Sequence, residues 1–204
     1  MNVSLLKIQY PLMPIDVTGC LPTAHFIASP NYDERPVDTE ISLLVIHNIS
    51  LPPGEFGGSG VTDLFTNRIN PAVHPYYQSI HTLRVSAHFF IRRDGELLQF
   101  VSCTRRAWHA GISHWKGKDR CNDYSIGIEL EGSDTITFTD SQYSTLTTLT
   151  RCLCASYPIT DIVGHSDIAP DRKTDPGSCF DWRKYSATLG STGYFSTQKI
   201  CGNR

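Results

Sequence analysis

The chain has 204 residues, 40% of them hydrophobic and 19% charged, with a formal net charge of -2. That length is enough for one domain with a sizeable core, and the composition is ordinary for a globular protein. Lysine and arginine are scattered rather than gathered on one face, which argues against a nucleic-acid partner, and no apolar run reaches the roughly 18 residues that would argue for a membrane span.

The N-terminal segment contains Val17-Thr18-Gly19-Cys20, which superficially resembles a lipoprotein cleavage site. Lys7, Pro11, Pro14 and Asp16 interrupt the apolar stretch that a signal needs. The expectation is therefore a short extension over residues 1–28, without a leader or lipid anchor. The seven cysteines (20, 103, 121, 152, 154, 179 and 201) are odd in number and lack framework spacing. That pattern fits free thiols in a reducing, cytoplasmic setting.

Residues 30–40 are polar and rich in turn formers, so they read as a loop leading into the first strand. Ser42 to His47 is a short apolar run, read as a buried strand. Residues 51–60 hold prolines and glycines in a loop, followed by a short helix from Val61 to Arg68. Ser86 to Arg92 and Glu96 to Val101 flank Arg93-Asp94-Gly95, a hairpin signature because Asp-Gly suits a tight turn. Tyr124 to Leu130 alternates and reads as a strand. Thr139 or Asp140 caps a helix to about Ser156, with Tyr143, Leu146, Leu149 and Leu153 at helical spacing. Ile159 to Gly164 is a strand ending at His165, and Trp182 to Leu189 a last helix. The mixture predicts an α/β domain built on one mixed sheet.

His47 and His165 each end an apolar strand, where a ring is held rigidly at a sheet rim. Taken singly, such a histidine is more often structural. The segment after His165 changes the balance: Pro170, Pro176 and Gly177 shape a stiff loop that can bring Asp175 back beside it. Two imidazoles and a carboxylate make a three-ligand zinc site with one position open for water or substrate. Another divalent ion could also bind there, but nitrogen donors favour zinc. Lys173, two residues before Asp175, points the same way in an extended loop and can stabilise an oxyanion. Glu129 shares a strand face with Ser125, Gly127 and Glu131. A carboxylate inside a strand needs a partner, which a metal-bound water would be, whereas Glu131 reads as an ordinary surface acid. Cys179, just beyond Asp175, is a competing soft ligand.

Together these residues resemble the type 2 N-acetylmuramoyl-L-alanine amidases, and most nearly the cytoplasmic 1,6-anhydro-N-acetylmuramoyl-L-alanine amidases of Gram-negative bacteria, the AmpD type. The resemblance rests on residues 45–58, 83–97, 106–111, 121–132 and 164–177. It implies a single domain over residues 29–190, with a mixed sheet flanked by helices like that of peptidoglycan recognition proteins, and a tail over residues 191–204. It also implies a zinc amidase that recycles muropeptides, and nothing in the sequence demands more than a monomer. The enzyme would cut between 1,6-anhydro-N-acetylmuramic acid and the L-alanine of a stem peptide. His47, His165 and Asp175 would hold one Zn2+, with Asp175 rather than Cys179 in the matching register, Glu129 would be the base and Lys173 the oxyanion partner. Arg84 would bind acidic groups of the stem peptide and Trp108 would form a platform for the sugar. Asn48, Tyr76, Leu130, Ala169 and Arg172 would complete the pocket. His88 and His109 lie beside these motifs; they read first as ordinary structural histidines, with support of the site from behind as the alternative. Two other readings remain in view. A peptidoglycan-binding module without chemistry could dispense with these five metal and catalytic positions, all of which are filled here. An envelope amidase acting on polymeric wall would carry a cleavable signal.

Overall fold

A computed structural model describes residues 14–190. In chain order the strands are β1 (His25–Phe26), β2 (Tyr32–Glu34), β3 (Leu43–Ile49), β4 (Phe89–Ile91), β5 (Leu97–Gln99), β6 (Arg105–Ala107), β7 (His114–Trp115), β8 (Lys118–Asp119), β9 (Ser125–Glu131) and β10 (Asp161–Gly164). The helices are α1 (Gly60–Phe65), α2 (Pro75–Ile80), α3 (Asp140–Ser156), α4 (His165–Ile168) and α5 (Trp182–Leu189). Six strands form the main sheet in the order β1-β5-β4-β9-β3-β10, and β2–β6 and β7–β8 make two small ribbons. β9 and β3 run parallel at its centre, with His47 beside Glu129. β10 lies parallel to β3 on the far side, and β4–β5 is the one antiparallel pair in the sheet.

Side chains alternate along a strand, so one register fixes two surfaces. Leu44, Ile46, Phe89, Ile91, Ile126, Ile128 and Leu130 pack into the cluster that contains Leu146, Leu149 and Leu153 of α3 and Tyr185 and Leu189 of α5. The opposite face has two smaller apolar clusters. Phe90 and Leu98 pack there with Leu64 and Phe65 of α1, and Leu43 and Val45 pack with Val163 and Ile168.

Helix α3 begins where its sequence says it should. The Thr139 hydroxyl accepts from the Gln142 N–H and the Gln142 side chain accepts from the Thr139 N–H, both at 3.1 Å. This reciprocal cap satisfies two otherwise orphaned donors. Asp181 caps α5 by accepting from the Lys184 N–H at 2.8 Å.

Several expectations need correction. The first central strand runs on to Ile49, and His165 opens a one-turn helix. Helix α2 lies in a stretch without periodic signal. His74 caps it by accepting from the Tyr76 N–H at 3.1 Å, and Pro75 needs no donor at the first helical position. Residues 14–28 are not a detached extension: Ile15 and Leu21 sit in the main core, and β1 pairs in parallel with β5. Residues 191–204, expected to be a tail, lie outside the described residues, as do residues 1–13. Among the described residues no helix is long and apolar enough to cross a membrane.

Candidate metal centre and cleft

The second half of β3 carries His47, and β10 ends just before His165 at the start of α4, which brings both rings to the same rim of the sheet. After α4 the chain returns, and the Ser166 N–H donates to the Asp175 carbonyl at 2.9 Å, closing the loop. Gly177 holds that loop at φ 80°, a region that favours glycine, and a Cβ there would overlap the backbone of Asp134.

Three donor atoms converge as a result. His47 Nδ1 and His165 Nδ1 are 3.0 Å apart, and each is 3.1 Å from Asp175 Oδ2. A tetrahedral zinc with bonds of about 2.0–2.1 Å separates its donors by about 3.3 Å, so the triangle is close to what such an ion needs. The chemistry of the donors agrees. His165 Nε2 lies 3.1 Å from the Ala110 carbonyl, which can only accept, so a neutral His165 ring presents a lone pair at Nδ1. Burial lowers His47 to about 4 against the opposing pull of Asp175, so that ring is neutral at pH 7. Burial alone would raise Asp175, but the neighbouring His165 and His47 side chains hold it below the ordinary carboxylate range. Two lone pairs and an anionic oxygen facing one another repel unless a cation lies between them. His47, His165 and Asp175 are the metal-capable group found among the described residues.

Glu129 projects from β9 next to His47. It is 8% exposed, and its Oε2 has no hydrogen-bond partner. Burial raises it well above the ordinary value, Asp175 adds to the effect and Lys173 opposes it. A buried, unpartnered carboxyl beside a cation site is poised to exchange a proton with a water or substrate. Glu129, Lys173 and the three donors all line one cleft of about 570 Å3, well within the size range of small-molecule sites. Its walls combine apolar side chains such as Leu64, Ile80 and Val85 with the polar Ser133, Asp134 and Thr135.

Residues 37–178 match the sequence family described as N-acetylmuramoyl-L-alanine amidase. The chain belongs to that family. The amidase is 56% identical over 178 residues to the 1,6-anhydro-N-acetylmuramyl-L-alanine amidase AmpD of Salmonella typhimurium, covering 86% of this chain and 95% of that one. Among solved structures, the crystal structure of a selenomethionine AmpD derivative is 55% identical, with a TM-score of 0.84, and the match covers 87% of this chain and 99% of that one. A more distant match is AmiD of E. coli in complex with anhydro-N-acetylmuramic acid-L-Ala-D-γ-Glu-L-Lys. It is 28% identical with a TM-score of 0.56, and covers 78% of this chain and 65% of that one.

The other residues singled out in the amidase sequence fall into two groups. Asn48, Tyr76 and Trp108 line the cleft. Arg84, Leu130, Ala169 and Arg172 are not among its lining residues. The exposed Arg84 folds its guanidinium back onto the carbonyls of His81 and Leu83, at 3.3 and 3.0 Å. Leu130 is one residue out of step with Glu129, so its side chain enters the α3 core instead. Ala169 and Arg172 border a separate recess beside Ile112, where Arg172 donates to the carbonyls of Ala110 and Ile112 at 2.7 and 2.8 Å.

Sequence reasoning missed two acids. Glu131 is buried rather than a surface acid. It accepts from the Gly57 N–H at 2.6 Å and the Arg93 N–H at 3.0 Å, tying the 51–60 loop to the β4–β5 hairpin. Asp134 accepts from Asn48 Nδ2 at 2.7 Å and from the Thr174 hydroxyl at 2.5 Å, bracing the immediate neighbours of His47 and Asp175. Glu131 could have been found from its face, which it shares with Glu129; nothing local marks Asp134.

Proposed function

We propose that the amidase hydrolyses the amide between 1,6-anhydro-N-acetylmuramic acid and the L-alanine of a stem peptide, in cytoplasmic recycling of wall fragments, as a monomer holding one zinc ion. The observation that carries the reading is the triangle of His47, His165 and Asp175 with the unpartnered Glu129 carboxyl beside it in the same cleft. The names of the relatives support the substrate class: AmpD is named for a 1,6-anhydro-muramyl substrate, and the AmiD complex contains an anhydro-muropeptide.

His47 and His165 would hold zinc through Nδ1 and Asp175 through Oδ2. When bound there, zinc supplies Lewis acidity and makes water a better nucleophile at neutral pH. Glu129 accepts a proton from the attacking water and returns it to the departing alanine nitrogen. Its position on a central strand, rather than on a loop, fixes the direction of that transfer. The Lys173 ammonium stabilises negative charge building on the lactyl carbonyl oxygen, a kind of contact worth about 3 kcal/mol in a water-poor site. Trp108 offers an apolar surface to the sugar ring, while Asn48 and Tyr76 provide polar contacts to the amide and peptide. Arg84 would need to swing away from its own loop carbonyls to reach a stem-peptide carboxylate.

Mass spectrometry of a purified anhydro-muropeptide tests this directly. The intact mass should give way to free stem peptide and 1,6-anhydro-N-acetylmuramic acid. A chelator should stop the reaction and added zinc restore it. An unchanged mass in the presence of zinc would reject the reading.

A further inference from the structure

Each imidazole of the metal triad turns its second nitrogen away from the shared centre, and the two outer nitrogens meet adjacent residues, one each. His165 Nε2 lies 3.1 Å from the Ala110 carbonyl, and His47 Nε2 lies 3.0 Å from His109 Nδ1. The His109–Ala110 segment is itself fixed, because the N–H groups of both residues donate to Asn122 Oδ1 at 3.2 and 2.8 Å.

The His109 ring is half-buried at the wall of the cleft. It rests against the backbone of Gly127, where a Cβ would overlap it, and its Nε2 lies 3.2 Å from the Ser125 hydroxyl. Ser125, Gly127 and Glu129 share one face of β9, so the strand that carries the proposed base also seats this ring. A neutral imidazole has one donor and one acceptor nitrogen.

The order of protons then follows. With Nδ1 facing the metal triangle, His47 carries its proton on Nε2 and donates it to His109 Nδ1. His109 therefore keeps its own proton on Nε2 and donates to Ser125. We infer that His109 is a positioning residue for the metal centre: it accepts the Nε2 proton of His47 and thereby locks that ring in the tautomer and orientation that present Nδ1 to zinc, with Ser125 locking His109 in turn. The inference rests on the zinc reading above. A neutral imidazole suits this place better than the carboxylate often found behind a metal histidine. Asp175 and Glu129 already bring two acids to the buried site, and a third would add repulsion.

Zinc affinity measured by competition with a chromophoric chelator tests the inference in two variants. His109→Leu should lose about 10–100-fold in affinity, the range for losing an outer partner of a metal ligand. His109→Asn, whose Oδ1 can stand where Nδ1 was, should recover most of the loss. A folded His109→Leu with wild-type affinity would overturn the inference. Nitrogen-detected NMR of the wild type gives a check that does not depend on a variant folding. Protons on Nε2 of both His47 and His109 are expected, and a proton on His109 Nδ1 would overturn the assignment. A wild-type chain that takes up no zinc would bring down the metal reading itself, whereas wild-type uptake with an unaffected His109→Leu removes only this inference.

Discussion

The two faces of the central sheet are built from the same strands one residue out of step, yet they do opposite work. Toward α3 and α5 lie Leu44, Ile46, Ile126 and Ile128, all fully buried and all aliphatic. On the other face the apolar pattern breaks in the middle, where Gly127, Glu129, His47 and His165 gather between two smaller apolar clusters. Burying Glu129 without a partner and pressing three electron-rich donors together both oppose folding. The uninterrupted apolar face offsets that cost, at about 25 cal/mol per Å2 of surface removed from water. Stability and chemistry are thus separated by register rather than by distance along the chain.

Substitutions on each face should separate these roles, and the largest effect belongs to the metal triangle. Asp175→Ala should weaken zinc binding by more than about 100-fold, beyond what loss of an outer partner costs, and abolish turnover. Zinc content after dialysis measures the first effect, and unchanged content would remove Asp175 from the donor set. Glu129→Gln should keep zinc while lowering kcat by about 10^2- to 10^4-fold. In the zinc-free form it should raise Tm, because a buried acid gives way to a neutral amide; a fall in Tm would contradict the account of that face. On the opposite face Ile128→Ala should cost about 2–5 kcal/mol, or roughly 4–20 °C in Tm for a chain of this size, while the folded variant binds zinc as tightly as the wild type. A large change in zinc affinity there would dissolve the division between the faces.

The smallest effect is a pH dependence that comes from the polar face. Burial lowers His88 from 6.5 to about 3, although its contact with the Arg105 carbonyl pulls the other way. Between those values the unfolded chain binds a proton that the folded chain does not, so stability rises with pH from about 3 to 6.5 and is lost as the pH falls through that window. The slope from this one group is about 1.4 kcal/mol per pH unit. Urea midpoints of zinc-free protein between pH 7 and pH 5 should show it, and His88→Gln should flatten it. An unchanged slope in that variant would place the acid sensitivity elsewhere.

How much of this was legible in advance differs from element to element. β3, β9, α3 and α5 announce themselves, because four or more core contacts repeat at a fixed period or a capping residue marks the start. The strands β1, β2, β6, β7 and β8 have only two or three residues each, too few for any period to show. The same brevity hid the role of residues 14–28, which join the sheet through a two-residue strand and the core through Ile15 and Leu21. Arg84 looked like a peptide-binding fork, but its loop carbonyls compete for the guanidinium. Leu130 stands beside Glu129 in the chain and on the other side of the sheet in space.

The amino-acid order by itself determined which residues could do chemistry: histidines at the ends of aliphatic runs, an acid within an alternating strand, and a lysine and an aspartate in a proline-stiffened loop. Such patterns are local, and local pattern sets strand, helix and face. Only the tertiary structure decided that Nδ1 rather than Nε2 of each histidine faces the shared centre, that His109 and Ala110 hold the outer nitrogens, and that Asp134 ties the two halves of the rim together. Those facts depend on distances of about 3 Å between residues 10 to 128 positions apart, and no local preference in the chain encodes a distance of that kind.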